Sequence, residues 1–169
     1  MKKKPLVLIV LSALFAALIM VVTAYVLHIP TGLNEGYIHL GDTMIYIAAS
    51  MLPLPYAMAA AAMGGALADI LSGAAVWAIP TAVIKALMVL PFTAKNDRLL
   101  CRRNYIATGI AGVIGIAGYF VAACLLYTPA SAVVEILPNL SQEAAGGVMY
   151  VLLALAMDRA KLKSRLQAL

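Results

Sequence analysis

Residues 5–34 contain no Asp, Glu, Lys or Arg, and this uncharged stretch constrains the fold more than any other feature of the chain. About 20 consecutive apolar residues are enough for a helix to cross the hydrocarbon core of a bilayer, so the stretch predicts a membrane-spanning first helix. Across the 169 residues, 64% are hydrophobic and 11% are charged. A soluble domain of this length could not bury so much apolar surface. We therefore expect an integral membrane protein.

The net charge of +5 is distributed in a way that indicates topology and not nucleic-acid binding. Eleven of the twelve Lys and Arg residues fall in three clusters, at residues 2–4, 95–103 and 159–165, and each cluster flanks an apolar run. Short cytoplasmic segments of membrane proteins are enriched in Lys and Arg. Both termini and the segment around residues 94–104 are therefore predicted to be cytoplasmic.

An odd number of crossings must then lie between residues 28 and 93, and the Pro and Gly residues there favour three. We predict an all-α membrane protein with six transmembrane helices in a single domain, residues 1–169. The predicted helices cover residues 6–27, 37–52, 56–71, 77–92, 105–127 and 141–157. Helices 2, 3 and 4 are short for a full span, so either the bilayer thins locally or the helices leave a cavity on the outer side.

Small residues recur at helical spacing in two of these segments. Ala60, Gly64 and Ala68 are spaced by four in helix 3, and glycines are spaced by three in helix 5, at 109, 112, 115 and 118. Such patterns allow close approach of helix backbones in membranes, so they predict helix packing within the protein.

Three ionisable residues interrupt otherwise apolar segments, namely Asp42, Asp69 and Lys85. A charge near the membrane midplane costs about 2.5–3.5 kcal/mol on insertion scales, so these side chains are expected to face the protein interior and to pair. Asp42 could cap the N-terminus of helix 2. Asp69 and Lys85 could form an ion pair that joins helix 3 to helix 4. Alternatively, Lys85 contacts a ligand, and the sequence leaves that choice open.

A second set of polar and aromatic residues is predicted to lie near the outer ends of the helices. Its members are Glu35, Tyr37, His39, Trp77, Tyr119, Tyr127, Asn139, Gln142 and Glu143. Trp and Tyr at this depth commonly form an interfacial belt, and Asn139 could cap helix 6. No clustered acids, nucleophile–base pair or phosphate-binding loop accompanies them, so we expect no catalytic residues, no metal site and no cofactor.

Four stretches of the chain resemble, in the same order, the substrate-binding S components of energy-coupling factor (ECF) vitamin transporters, and particularly the riboflavin-type group. They read GYIHLGD (36–42), MGGALADILSG (63–73), IPTAVIKALM (79–88) and LPNLSQEAAGG (137–147). Each stretch alone is a weak signal, but the four in order cover most of the chain and are fairly specific.

The resemblance implies a substrate-binding subunit of an ABC-type importer and no enzymatic activity. Members of the family capture a vitamin or a related small molecule from outside, under the loop between helices 1 and 2 and between helices 4, 5 and 6. The implied partners are a transmembrane T component and two ATPases, and the implied location is the plasma membrane of a bacterial cell. Ala13 and Ala17 match the Ala-x-x-x-Ala face through which helix 1 docks on such partners.

The resemblance also assigns roles to individual residues. Asn139 and Gln142 match the start of helix 6, where relatives contact substrate, and Lys85 matches a lysine common in helix 4. The remaining candidates for substrate binding are Tyr37, His39, Trp77 and Tyr119, whereas Asp42 and Asp69 are given structural roles. Riboflavin-type members often have Lys where Gln142 stands, which points to another polar heterocycle, such as a pyridoxine-like or pyrimidine compound.

Two other classes of protein compete with this interpretation. One is a membrane assembly subunit that binds no small molecule, for which substitutions at the outer polar residues would be harmless. The other is a membrane-embedded transferase, which the dispersed acidic residues disfavour.

Overall fold

The computed structural model describes residues 5–26, 28–32 and 34–167, and the predicted basic cluster at residues 2–4 lies outside them. The described chain is all-helical apart from one two-stranded ribbon, which confirms the predicted class. The helices are α1 (Pro5–Tyr25), α2 (Gly41–Met51), α3 (Leu54–Leu71), α4 (Ala78–Val89), α5 (Arg102–Leu126), α6 (Pro129–Arg159) and α7 (Leu162–Gln167), with a short 3-10 helix at Ala75–Trp77. Strands β1 (Ile29–Pro30) and β2 (Tyr37–Ile38) pair antiparallel in the α1–α2 connection.

Four of the described helices, α1, α3, α5 and α6, are long and apolar enough to cross a membrane. By contrast, α2 has 11 residues and α4 has 12, which at 1.5 Å per residue gives lengths of roughly 16 and 18 Å. Ten of the 11 residues in α2 are buried. An apolar helix of this length is typical of a bundle core. Because α2 and α4 are shorter than a full span, the total of six membrane crossings stays a prediction.

Two predicted helix starts are wrong. Helix 2 begins at Gly41 and not at residue 37, because Tyr37 and Ile38 pair with β1. Helix 6 begins at Pro129 and not at residue 141. A capping box explains this start, since the hydroxyl of Thr128 accepts a hydrogen bond from the Ser131 N–H and the Ser131 hydroxyl accepts one from the Thr128 N–H. The helix then continues through Pro138.

Close packing of α1 on α3 confirms the interpretation of the small residues in helix 3. A Cβ atom added to Gly64 would lie 2.7 Å from the carbonyl oxygen of Ala16 and 2.7 Å from the Cβ of Ile19. Only glycine lets the two backbones approach this closely. In α5 the pattern holds in part, because Gly118 contacts Ile84 of α4 whereas Gly109 is exposed and has no neighbour within 4 Å of such a Cβ.

The end of the bundle that carries the two described basic clusters is held by buried polar contacts. The carboxylate of Asp158 accepts hydrogen bonds from the backbone N–H groups of Leu99 and Leu100, at 2.7 and 3.0 Å. Lys163 belongs to the last basic cluster but is buried, and its ammonium donates to the carbonyl of Ser50 at 2.8 Å. These contacts join the α4–α5 connection and the C-terminal segment at one end of the helix bundle, and the cavity described below lies at the other.

Candidate functional site

A cavity lies between the α1–α2 connection and the adjoining ends of α3, α4, α5 and α6. The space enclosed by its side chains is about 50 Å³, and it is about 490 Å³ when the space at its mouth is included. The lining residues are Thr31, Glu35, Gly36, Tyr37, His39, Asp69, Trp77, Thr81, Tyr119, Glu135, Pro138, Asn139 and Gln142. Residues far apart in sequence thus converge on one polar and aromatic site.

Aromatic side chains fix the α1–α2 connection over this cavity. The indole N–H of Trp77 donates a hydrogen bond to the carbonyl oxygen of Asn34 at 2.8 Å, and the hydroxyl of Tyr127 donates to the same oxygen at 3.2 Å. The ring of Tyr37 stacks on that of His28 with a centroid separation of 4.1 Å. The connection is therefore docked on the ends of α4 and α5 by directional contacts.

The turn that makes these contacts has an unusual backbone. Asn34 and Glu35 have φ values of +48° and +60°. Asn tolerates this left-handed region, whereas Glu rarely occupies it. The side-chain amide of Asn34 also donates a hydrogen bond to the Glu135 carboxylate on α6. Such backbone conformations persist where surrounding contacts hold them, as Trp77, Tyr127 and Glu135 do here.

A buried ion pair forms the floor beneath the cavity. The ammonium of Lys85 lies 2.5 Å from Oδ1 of Asp42, and the two residues are 1% and 0% exposed. The amide of Gln142 donates to Oδ2 of Asp42 at 2.9 Å, and its own Oε1 accepts a hydrogen bond from the backbone N–H of His39 at 3.2 Å. One carboxylate thus connects α2, α4 and α6, and through Gln142 it reaches the α1–α2 connection.

This network corrects two predictions about the buried charges. Asp42 does not cap α2, because the N-cap position is Leu40 and no side chain caps this end. The predicted ion pair between Asp69 and Lys85 is also wrong, since Lys85 pairs with Asp42. Oδ1 of Asp69 instead accepts a hydrogen bond from the hydroxyl of Tyr37 at 2.5 Å. Asp69 therefore joins α3 to the α1–α2 connection and not to α4.

Six of the seven residues predicted to contact substrate line the cavity. They are Tyr37, His39, Trp77, Tyr119, Asn139 and Gln142. Lys85 lies one layer deeper, with its ammonium 5.1 Å from the centre of the Tyr119 ring. The two residues predicted to dock partners, Ala13 and Ala17, lie on the exposed side of α1.

Sequence reasoning missed Glu135 as a residue of the site. Glu135, Asn139 and Gln142 are spaced by four and three along α6, which places them on one helical face. This shared face was not predicted, because the predicted start of helix 6 at residue 141 left Glu135 outside the helix. Glu143 was predicted among the polar residues that open helix 6, but not as a buried partner of another side chain. It is buried on α6 and accepts a hydrogen bond from the hydroxyl of Tyr46.

His39 is held in its neutral form by its surroundings. Burial lowers the pKa of His39 from its ordinary 6.5 to about 4; Asp42 opposes this shift, and Lys85 and His28 add to it. The backbone N–H of Gly41 donates a hydrogen bond to Nδ1 of His39 at 3.0 Å, so this nitrogen carries no proton. Protonation at Nδ1 would remove that acceptor. Among residues 5–26, 28–32 and 34–167 there is no group of three or more His, Cys, Asp or Glu side chains that could hold a metal ion.

The four helices long enough to cross a bilayer define a multi-pass membrane protein, and its polar cavity near one end is a candidate small-molecule site. Residues 4–159 match the family described as the ECF-type riboflavin transporter, S component. The chain therefore belongs to the S components of ECF transporters, which are substrate-binding membrane subunits and not enzymes. A protein of Pyrococcus woesei, described as an uncharacterized protein in a gap 3' region, is 30% identical over 138 residues, which is 78% of this chain and 92% of that protein. The family excludes the membrane transferase considered above.

Breaking the Asp42–Lys85 pair should destabilise the protein strongly. We expect Lys85→Met to lower the free energy of unfolding by about 3–5 kcal/mol, because it leaves the Asp42 carboxylate buried without a counter-ion. Thermal unfolding in detergent measures the effect. Lys95→Met, at an exposed lysine, is the matched control and should change stability by less than about 0.5 kcal/mol. The double variant Asp42→Asn/Lys85→Met should lose less than the sum of the two single losses, and strict additivity would contradict the pairing.

Docking of the α1–α2 connection should weaken in acid. Because the folded-state pKa of His39 lies below the unfolded value, the unfolded segment binds more protons between pH 6.5 and about 4. The stabilisation of the docked connection by neutral His39 is complete above pH 6.5 and is lost as the pH falls from 6.5 to about 4. The emission of Trp77, the single tryptophan, should report the loss because its indole contacts Asn34.

Two substitutions separate His39 from the other histidine. His39→Gln should make the Trp77 emission independent of pH between 6.5 and 4, whereas the matched variant His28→Gln should retain the transition. An unchanged transition in His39→Gln would assign the pH dependence to another group.

Proposed function

We propose that this S component captures a vitamin or a related small heterocycle in the cavity beneath the α1–α2 connection. The observation that carries the proposal is the convergence of six predicted substrate contacts, from four separate stretches of sequence, on one cavity. Aromatic rings of Tyr37, Trp77 and Tyr119 offer faces for a planar ring, and Asn139 and Gln142 offer amide groups for its polar substituents. Ligand pockets commonly combine such walls with a few placed polar groups.

Ligand entry requires the cavity to open. Its enclosed space of about 50 Å³ is far below the roughly 300 Å³ of a typical small-molecule pocket. The α1–α2 connection is the one wall of the cavity that is not a helix, and Trp77, Tyr127 and Glu135 anchor it through Asn34. We infer that these anchors release when ligand enters and form again over the bound molecule.

The orientation in the membrane is part of the same proposal. The basic clusters at residues 95–103 and 159–165 lie together at one end, where Asp158 bonds Leu99 and Leu100, and this end is assigned to the cytoplasm on the positive-inside rule. The cavity then faces outward. Six crossings follow if the short helices α2 and α4 each traverse the thin central part of the bundle. The membrane proposed is the plasma membrane of a bacterial cell.

Transport would require partners that supply energy. The family supplies the expectation of a transmembrane T component and two ATPase subunits, and α1 offers a surface for the contact. Ala13 and Ala17 are exposed on this helix, and their methyl groups form a flat stripe that allows close and reversible helix contact.

A binding titration of the purified protein in detergent tests substrate capture. The panel is riboflavin, pyridoxine, hydroxymethylpyrimidine, pantothenate and thiamine, followed by Trp77 emission and thermal shift. We expect saturable, sub-micromolar binding of one compound, and we expect Gln142→Ala to weaken that binding by about 1–3 kcal/mol because a buried polar group of the ligand is left without its hydrogen-bond partner. If the folded protein binds none of the five, a non-binding assembly subunit becomes the better interpretation.

Substitutions in α1 should separate docking from binding. We expect Ala13→Leu and Ala17→Leu to abolish co-purification with the T component and ATPases, and cellular uptake, while the affinity for the compound identified above is unchanged. Ala117→Leu, at an exposed alanine of α5, is the matched control and should leave assembly intact. Loss of ligand binding in the α1 variants, or loss of assembly in the control, would contradict a docking role for this face.

A further inference from the structure

The lining of the cavity is acidic. Three carboxyl side chains, those of Glu35, Asp69 and Glu135, line it, and its lining contains no Lys or Arg. The remaining basic group of the lining is His39, whose pKa of about 4 leaves it uncharged at neutral pH. The nearest ammonium below the cavity, that of Lys85, is paired with Asp42. The walls of the site therefore offer its three carboxyl groups no unpaired cationic side chain.

One carboxylate oxygen in this lining lacks a partner. Asp69 is 5% exposed, and its Oδ1 accepts the hydrogen bond from Tyr37. Its Oδ2 is buried and makes no hydrogen bond. Among all buried side-chain nitrogen and oxygen atoms of the residues that the structure describes, only this oxygen and the hydroxyl of Ser72, one turn further along, are unsatisfied. A buried polar atom without a partner costs free energy, and a charged one costs more.

The rings around Asp69 are suited to a cation. Tyr37, Trp77 and Tyr119 line the same cavity, and the centroids of the Trp77 and Tyr119 rings are 5.9 Å apart. The faces of Trp and Tyr rings attract cations, most strongly where water is excluded. The hydroxyl of Thr81 accepts a hydrogen bond from Tyr119 and so holds that ring beside the acid. The carboxyl groups and the aromatic rings of the lining therefore both favour a cationic ligand.

We propose that the cargo is a heteroaromatic molecule carrying a positively charged nitrogen, and that Asp69 binds this nitrogen through Oδ2. This inference rests on the proposed function, since it names the chemical class of the captured molecule. An ammonium group would donate to Oδ2 and supply the missing counter-charge, while the ring packs against the faces of Trp77 and Tyr119 that line the cavity. A neutral ligand would leave the carboxylate buried and uncompensated, and an anion would be repelled by three carboxyl groups.

A pair of compounds with one ring system tests the inference on the wild-type protein. Pyridoxamine and pyridoxine differ by an ammonium in place of a hydroxyl, and both are titrated into the full-length chain in detergent at pH 7.5. We expect pyridoxamine to bind at least about tenfold more tightly, because the cost of truncating a buried, hydrogen-bonded charge pair exceeds the 1.4 kcal/mol that corresponds to tenfold. In the wider panel, pantothenate, which is an anion, should bind least tightly.

Asp69→Asn then assigns the preference to one side chain. The asparagine Oδ1 still accepts the hydrogen bond from Tyr37, but an N–H₂ group replaces Oδ2, so the tenfold preference for pyridoxamine should fall to about onefold. Asp97→Asn, the same substitution at an exposed aspartate of the α4–α5 connection, is the matched control and should retain the preference. Thermal unfolding of each variant verifies that it is folded.

The outcomes separate this inference from vitamin capture. If pyridoxine, riboflavin or pantothenate binds as tightly as the cationic compounds, the inference is wrong and vitamin capture stands. If the preference for pyridoxamine survives in Asp69→Asn, the assignment to Asp69 is wrong. If the folded wild-type protein binds no compound of the panel, both the inference and the proposed function fail.

Discussion

The ion pair between Asp42 and Lys85 is the interaction on which the rest of the structure depends. It joins two helices too short to be anchored by their own length, and it lies where no water can solvate either charge. Burial of the two charged groups costs free energy because each loses its hydration. The pair is therefore stable only while its geometry is kept and its remaining hydrogen-bonding positions are occupied. The amide of Gln142 donates a hydrogen bond to the second carboxylate oxygen of Asp42 and accepts one from the backbone N–H of His39. The floor, one wall and the cover of the cavity are thereby fixed relative to one another.

Much of the fold could be predicted from the sequence, because length, apolar content and the placement of Lys and Arg follow directly from the physics of the bilayer. What the sequence could not give was the direction in which each buried charge points around its helix. Depth along the helix allowed Lys85 to pair with Asp69 as readily as with Asp42, and the packing of α2 against α4 decides between them. The start of α6 was missed for a local reason, since the capping box at Thr128 and Ser131 was not recognised in the sequence.

The candidate site, like the fold, could be predicted from the sequence only in part. The resemblance to S components located Asn139 and Gln142, and the aromatic residues followed from their expected depth. The acidic lining did not follow, because Glu35 and Glu135 were interpreted as residues of connections, where charges need no explanation. Only the folded α6 brings Glu135 to the turn at Asn34, and only the ribbon of β1 and β2 brings Tyr37 to Asp69. The acidic lining of the cavity thus arises from tertiary contacts between segments whose individual sequences do not indicate a binding site.

Pro138 has a mechanical consequence for this cavity. Proline has no backbone N–H, so the carbonyl of Val134 is left without its helical donor, and α6 can bend there without breaking a backbone hydrogen bond. Glu135 precedes Pro138 and Gln142 follows it. The cavity wall formed by α6 therefore consists of an outer segment and an inner segment that is hydrogen-bonded to Asp42. A change in the bend at Pro138 would move Glu135 relative to Gln142, and would alter the volume available to a ligand without displacing the charged floor.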